Sequence, residues 1–452
     1  MLKNCSKPTD RRSIVAGQVL QRNEDLKAAG EGLAEPEQQT RHPKAMEQER
    51  VDALSDSQPV EPADHSPQVY SPNHFLKQRK YRPDLTSSSI YPGESTFYVQ
   101  FQKHWYNQKI IGEGADGIVH LYRRREQQNA CIAVKLPRYY LAREDLRQEI
   151  VNMHIIGQHE HILGLRCASE EWFPYGPAMF LPYCELGSLI DYRKSWCTQQ
   201  RWNGQPECVS EITMWKLYRD MILALDYLHN QLGTRYVHND FKPANILAAV
   251  PTDYVGGHVL PEEPVFKLSD FARLTPWPTP KGKHAQCFDG TPEYAPPLIE
   301  QAAPVHPSAD IWGLGATLQY MALGIAPIQS REAFVQHRKE TGKTYPNLED
   351  NFEWTLEYWR SRIPTVFRPI HVSLKVLQKD YDLPYDLPGY RCYSSRLGCW
   401  YMKLWKPVNS RPKVSVLVAQ AIPYMDDMVE RLKLERSEQM IQGENTCNER
   451  QC

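Results

Sequence analysis

The 11 tryptophans, 25 tyrosines and 12 phenylalanines of this 452-residue chain all lie between Tyr70 and Tyr424. Aromatic side chains carry much of the area that a core removes from water, so this distribution confines the folded part to the middle of the chain. The first 69 residues are rich in Pro, Gln, Glu and Asp and offer little apolar surface to offset ordering entropy. The expected organisation is a disordered N-terminal region over 1–95, an ordered domain over 96–435, and a disordered C-terminal tail over 436–452.

Several function classes fall away early. With 41% hydrophobic and 24% charged residues the chain has ordinary globular usage, against a collagenous, wholly disordered or membrane-embedded protein. Lys+Arg 53 against Asp+Glu 54 leaves a net charge of −1, without the broad positive field of a nucleic-acid binder, so no nucleic-acid partner is expected. The 11 cysteines are odd in number and form no C-x-x-C pair, which favours neither a disulfide framework nor a zinc site. No apolar h-region follows the N-terminus, so a reducing compartment, cytoplasm or nucleus, is expected. The uncharged run Ile311–Ser330 is interrupted by Gln319, Gln329, Pro327, Gly313, Gly315 and Gly324 and reads as a buried core helix, with no membrane insertion.

Aromatic and β-branched content rises from Phe97 to Tyr106, and Lys109-Ile110-Ile111 runs into glycines as a strand runs into a tight loop. Further strands are expected at Gly117–Arg123, Cys131–Leu136 and Ala178–Tyr183. Helical periodicity follows, with Trp215, Tyr218, Met221, Ile222, Leu225 and Leu228 at mostly three- and four-residue steps, and Ile311, Leu314, Leu318 and Met321 likewise. Strands first and helices afterwards predict an α+β chain with a small sheet-rich part and a large helical part.

Gly112-Glu113-Gly114-Ala115-Asp116-Gly117 follows a strand, and glycines there let backbone N–H groups approach phosphate oxygens that a Cβ would keep away. Alone, such a stretch reads equally well as a hairpin turn. It is followed by Lys135 in the apolar strand Ala133-Val134-Lys135, where a cation needs an anionic partner. Glu149 lies in a helical stretch, His238-Asn239-Asp240-Phe241-Lys242-Pro243-Ala244-Asn245 packs a carboxylate, an ammonium and an amide into six positions, and Ser269-Asp270-Phe271 adds a carboxylate after a strand. Acidic and amide oxygens together with phosphates suit Mg2+, a hard ion reluctant to shed all its water.

These residues resemble the eukaryotic protein kinase family, serine/threonine-like, in order from Ile111 to Arg411. The resemblance includes Gly290-Thr291-Pro292-Glu293-Tyr294-Ala295-Pro296, Asp310-Ile311-Trp312 and Ser410-Arg411-Pro412. It implies a bilobal fold, with a small antiparallel-sheet lobe over about 96–181 and a large mainly helical lobe over about 185–435, and ATP and Mg2+ as nucleotide and metal. By the resemblance, Gly112, Glu113, Gly114 and Gly117 cover the nucleotide phosphates and Lys135, paired with Glu149, contacts them. Asn245 and Asp270 hold magnesium, Asp240 accepts the proton of the attacking hydroxyl, and Lys242 offsets charge on the transferring group. Adenine is expected between Val119 and Ala133 above and Leu247 below, with Leu181 guarding the back of the pocket and Cys184 giving a backbone donor. Met153, Leu165, His238 and Phe271 should stack as a regulatory column. A lysine two residues after the base, with Thr291 in the platform, implies serine or threonine of a protein substrate. Ala244 and Ser188, where arginine-directed kinases keep acids, imply no preference for upstream arginine.

The pattern also departs. Asn239 stands where many members keep an arginine that grips a phosphorylated activation loop, Ala272 replaces a glycine, and Pro297 replaces the glutamate that normally pairs with Arg411, for which Glu300 is a possible substitute. These departures keep open a nucleotide-binding scaffold without phosphoryl transfer. Thr275 and Thr279, each followed by proline, are candidates for modification, or else part of an extended surface loop shaped by Pro276, Pro278 and Pro280. Between Asp310 and Arg411 an insertion at about 330–400 brings Trp354, Tyr358, Trp359, Phe367, Tyr381, Tyr385, Tyr390, Tyr393, Trp400, Tyr401 and Trp405. It reads as extra core on the large lobe, or alternatively as a docking surface for a partner.

Overall fold

The computed structural model describes residues 96–114, 117–172, 176–202, 205–257, 259–329, 331–343, 362–381, 383, 386–387 and 389–449. The expected disordered region 1–95 lies outside these residues.

The described part opens with helix α1 (Thr96–His104), then β1 (Trp105–Glu113), β2 (Ile118–Arg124), β3 (Cys131–Leu136), α2 (Arg143–Ile156), β4 (Cys167–Ser169) and β5 (Ala178–Pro182). The five strands form one antiparallel sheet in the order β1-β2-β3-β5-β4. Side chains alternate across a strand. Val134 therefore joins Tyr122, Trp172, Ala178 and Phe180 on one face, while Ala133 joins the main core on the other. Lys135, two residues beyond Ala133, projects to the same side.

The first aromatic stretch corrects the expectation of sheet from Phe97, since Thr96–His104 is helical. Phe97 and Phe101, four residues apart, fall on one helix face. Their rings lie 5.7 Å and 5.2 Å from that of Phe180. The outer face of the sheet is apolar and needs a cover, and a helical stripe of rings supplies it.

After the sheet come α3 (Leu189–Gln199), the short pair β6 (Arg201–Trp202) and β7 (Gln205–Pro206), and α4 (Glu211–Asp226). Next are β8 (Arg235–Val237), β9 (Ile246–Ala249), β10 (Val265–Leu268) and β11 (Thr275–Trp277), then α5 (Leu298–Gln301) and α6 (Ser308–Leu323). The chain closes with α7 (Arg331–Glu340), α8 (Leu374–Asp380), α9 (Ser395–Lys403), α10 (Val414–Gln420) and α11 (Ile422–Glu449). Serine side chains start three of these helices: Ser188, Ser210 and Ser394 accept from Asp191, Thr213 and Leu397 N–H. Helix α6 is buried at every position but Tyr320 and ends at Gly324, left-handed at φ 73°. The uncharged run is therefore a central core helix as far as Leu323, and no helix among the described residues is long and apolar enough to cross a membrane.

The described aromatics of the insertion are core. Tyr393, Leu397, Tyr401 and Leu404 are buried in the main cluster, with Phe367, Tyr381, Tyr390, Trp400 and Trp405 packed against it. The Tyr401 hydroxyl donates to Arg368 O at 2.9 Å. Trp354, Tyr358, Trp359 and Tyr385 lie outside the described residues. At the chain's end, α11 runs to Glu449 through most of the stretch 436–452, where a disordered tail is expected. Lys433 pairs with Glu263 at 2.8 Å, and Arg436 with Glu262, while lengthening an existing helix needs no new nucleus.

The proline at 297 finds its compensation in the same lobe. The buried Arg411 guanidinium makes a two-pronged bond to Glu300, at 3.0 Å and 2.9 Å, and donates to Ser308 O at 2.7 Å. Removing one partner of such a pair strands the other charge in a low dielectric. Glu300→Ala should therefore lower the unfolding free energy by about 3–5 kcal/mol in a urea titration. A loss no larger than that of an exposed pair, below about 1 kcal/mol, would show that α5 is held by other contacts.

Candidate active site

The glycine-rich turn, β3 and α2 bring the first group together. Lys135 is buried, and its Nζ donates to Glu149 Oε2 at 2.7 Å and to Asp270 Oδ1 at 3.2 Å. Burial alone would lower the pKa of this ammonium, but the two carboxylates outweigh it, and the net shift is upward. Gly117 lies over this lysine: a Cβ there would be 2.7 Å from Leu136 O and 3.3 Å from Lys135 Cε. At Gly112 and Gly114 a Cβ would meet nothing nearer than 3.6 Å and 3.9 Å, so nothing among the described residues requires glycine there. Glu113 is exposed at the end of β1. Arg138 Nη1 donates to Gly114 O at 3.2 Å and steadies the turn from the side. Ala115 and Asp116 lie outside the described residues.

The second group hangs from the loop after β8. Asp310, buried at the start of α6, accepts from His238 N at 2.8 Å, Asn239 N at 3.0 Å and His229 Nε2 at 2.8 Å. Asn239 and Asp270 are left-handed, at φ 66° and 64°. Asn and Asp tolerate this region better than other side chains, and such conformations persist where surrounding contacts fix them. His238 Nδ1 accepts from Asp240 N at 3.3 Å, so its Nε2 carries the proton it shares with Ser269 O at 3.0 Å.

Asp240 is fully engaged. Its Oδ1 accepts from Thr291 N and Thr291 Oγ1, both at 2.8 Å, and its Oδ2 from Lys242 Nζ at 2.7 Å and Asn245 Nδ2 at 3.1 Å. Burial works to raise its pKa, but Lys242 and the Thr291 bonds prevail and hold it below the ordinary carboxylate value. Burial likewise works to raise Asp270, and the attraction of Lys135 and their hydrogen bond bring it down. Both groups are therefore anions at neutral pH.

Ala133, Leu181 and Cys184 are buried in the main core, with Val119 and Leu247 packed against it. Ala133 faces Leu181 across the β3–β5 ladder. Met153, Leu165, His238 and Phe271 are all buried, and the His238 and Phe271 rings meet edge to face at 5.3 Å. Asn152 Nδ2 donates to Phe271 O at 2.7 Å and ties α2 to the residue beside Asp270.

The donor set fits a hard divalent ion only in company. Asn245 turns its amide nitrogen to Asp240, so that bond leaves the amide oxygen unused, and Asp270 is half-buried with one carboxylate oxygen not engaged by Lys135. Among the described residues no three acidic, histidine or cysteine side chains gather as a metal site. An ion held here would have to complete its shell with phosphate and water oxygens, as magnesium does.

The sequence motifs thus converge in space, except that one expectation fails. Thr275, a candidate for modification, is buried in β11 opposite Val237, and its hydroxyl donates to Arg273 O at 3.0 Å. A threonine before proline looks like surface in the sequence, and strand pairing with β8 is the contact that buries it. Asp310 and Asn152 support the site from outside the expected set of residues. An aspartate opening a helix that is otherwise apolar is the signal for Asp310, because a buried carboxylate needs donors.

A small antiparallel sheet beside a mainly helical lobe, with Lys135 of the sheet paired to Asp270 of the other lobe, defines a bilobal architecture. The family model for the protein kinase domain matches residues 105–367, more than half of the chain, and the chain belongs to the protein kinase family. It is 27% identical over 246 residues to the mitosis inhibitor protein kinase wee1 of Schizosaccharomyces pombe, covering 53% of this chain and 24% of that protein. It is 27% identical over 248 residues to the maternal embryonic leucine zipper kinase of Danio rerio, covering 54% and 32%. Against the serine/threonine-protein kinase Nek8 of Danio rerio it is 27% identical over 223 residues, covering 47% and 27%. The matches span about a quarter to a third of the length of these relatives.

Burial pushes the Cys184 thiol up to about 12, so it carries almost no thiolate near neutral pH. Brief maleimide labelling at pH 8 should modify the exposed Cys287, Cys392 and Cys399 and spare Cys184. Labelling of Cys184 at the rate of the exposed thiols would show that the core around it opens far more than this packing allows.

Proposed function

We propose that the chain transfers the γ-phosphoryl group of ATP to serine or threonine hydroxyls of protein substrates. The observation that carries this reading is the position of Lys135, within 2.7 Å of Glu149 and 3.2 Å of Asp270. Groups far apart in the chain thereby share one centre, and in phosphoryl transfer the protein's work is chiefly positioning and charge stabilisation.

The roles are those that the resemblance to the protein kinase family implies for these residues. Adenine sits between Val119 and Ala133 above and Leu247 below, against Leu181, with the Cys184 backbone as donor. The turn of Gly112, Glu113, Gly114 and Gly117 closes over the phosphates, and Lys135 holds them while Glu149 holds Lys135. Asn245 and Asp270 would hold Mg2+, which supplies positive charge among the phosphate oxygens when bound. Asp240 has four lone-pair sites, and four donor contacts fill them in the resting arrangement. When Lys242 turns from Asp240 to the transferring phosphoryl group, it frees a site on Oδ2. The substrate hydroxyl then gives its proton to that oxygen, its own oxygen bonds to phosphorus, and the bond to ADP breaks. Lys242 Nζ also contacts Thr291 Oγ1 at 2.7 Å, which links the base to the platform for a protein substrate. One relative is itself named a serine/threonine-protein kinase, which agrees with the proposed hydroxyl class.

The test is magnesium-dependent ATP binding followed by phosphate transfer to a protein mixture, comparing the wild type with Asp240→Asn. Nucleotide binding should persist in the variant while transfer falls about 10²- to 10⁴-fold. Wild-type protein that binds Mg-ATP yet transfers no more than the variant would establish the scaffold instead.

A further inference from the structure

The segment after Asp270 is tied at both ends to one side chain. Asn239 is buried, and its Nδ2 donates to Thr275 Oγ1 at 3.2 Å, while its Oδ1 accepts a longer bond from Asp289 N at 3.4 Å. The Thr275 hydroxyl donates onward to Arg273 O at 3.0 Å. Arg273 completes the ring on Asp289, reaching its carboxylate at 2.7 Å and also its carbonyl. Gly290 lies directly against Asn239: a Cβ there would come 2.5 Å from the Asn239 carbonyl oxygen. One residue later Thr291 binds Asp240 through both its N–H and its hydroxyl. The backbone N–H of Asn239 is fixed in turn by Asp310. A displacement of Asn239 is therefore passed through three neighbouring residues to the carboxylate of Asp240.

We propose that Asn239 is a positioning residue that locks the segment from Thr275 to Asp289 against the catalytic loop by neutral hydrogen bonds, so that the segment takes its place without added phosphate. The chemistry of the site favours this over a charged switch. A buried amide offers no positive charge to a phosphate, and Arg273 is already engaged by Asp289. Thr275 is itself buried, so its hydroxyl is not presented to a modifying enzyme. A dianion placed there would be desolvated against Asn239, the chain neighbour of the anionic Asp240. The left-handed backbone explains the residue type: asparagine accepts φ 66° and still brings an amide that can both donate and accept.

This inference rests on the kinase reading for its consequence on transfer, but its structural content is measured without transfer. Hydrogen exchange at the Asp289 and Thr291 amides is compared in phosphatase-treated and untreated wild type. The same measurement is made on Asn239→Gly, which keeps the left-handed backbone and deletes the amide, on Asn239→Asp, which keeps an acceptor oxygen, and on Thr275→Val. Phosphatase treatment should leave exchange unchanged. Asn239→Gly and Thr275→Val should speed it about 3- to 10-fold, and Asn239→Asp should recover part of that protection. Where the wild type transfers phosphate, Asn239→Gly should lower kcat with the KM for Mg-ATP unaltered, and Thr279→Ala should leave transfer unchanged. If the wild type transfers nothing, exchange alone decides, and if Asn239→Gly does not fold, Thr275→Val decides. Unchanged exchange in the folded variants, or faster exchange after phosphatase treatment, overturns the proposal.

Discussion

A single buried carboxylate fixes the loop on which the site depends. Asp310 stands at the head of a nearly wholly buried helix and takes hydrogen bonds from two successive backbone N–H groups, at His238 and Asn239, and from the His229 ring. A charged group in such a place is costly unless its lone pairs are filled, and here filling them shapes the loop. The backbone turns left-handed at Asn239, Asp240 is directed toward Lys242 and Thr291, and His238 is set against Phe271. Electrostatics deep in the large lobe thereby determines geometry at its surface.

A second constraint acts across the lobes. Lys135 comes from the sheet, Glu149 from the helix beside it and Asp270 from the end of a short hairpin, so the three charges are mutually satisfied only when these parts sit together. Each carboxylate compensates a cation that burial would otherwise tend to neutralise. The departures from the family pattern are absorbed in the same way. Glu300 replaces the partner that Pro297 cannot supply, and Asn239 makes neutral hydrogen bonds to Thr275 and Asp289. Neither change removes a donor or acceptor from the groups at the centre.

Much of this was legible in the residues themselves. The glycine turn, Lys135, Glu149, Asp240, Lys242, Asn245 and Asp270 stand out by residue type and order, and the structure pairs Lys135 with Glu149 and Asp270 and Asp240 with Lys242 and Asn245; the alternation of β3 explains why Ala133 and Lys135 share a face. What escaped depends on partners distant in sequence. The burial of Thr275 requires β8, a strand nearly forty positions earlier in the chain. Helix α1 exists because Phe180 and Trp172 need covering, and local aromatic content alone cannot distinguish that demand from a strand. Helix α11 continues past 435, where Arg436 pairs with Glu262 of a distant loop. Asp310 is the instructive intermediate case: its polarity was visible, and its role follows once the helix around it is recognised as core.

The apolar interior also reaches well past the stretch that the family model covers. Tyr393, Leu397 and Tyr401, then Arg411, Leu417 and Met425, are buried, and α10 and α11 lie against α4. Recombinant boundaries drawn at 367 would strip the cover from α4, leave Glu300 facing an absent guanidinium and present a broad greasy surface to water. The autonomous folding module therefore extends into the last long helix, and any soluble fragment has to carry the polypeptide at least that far.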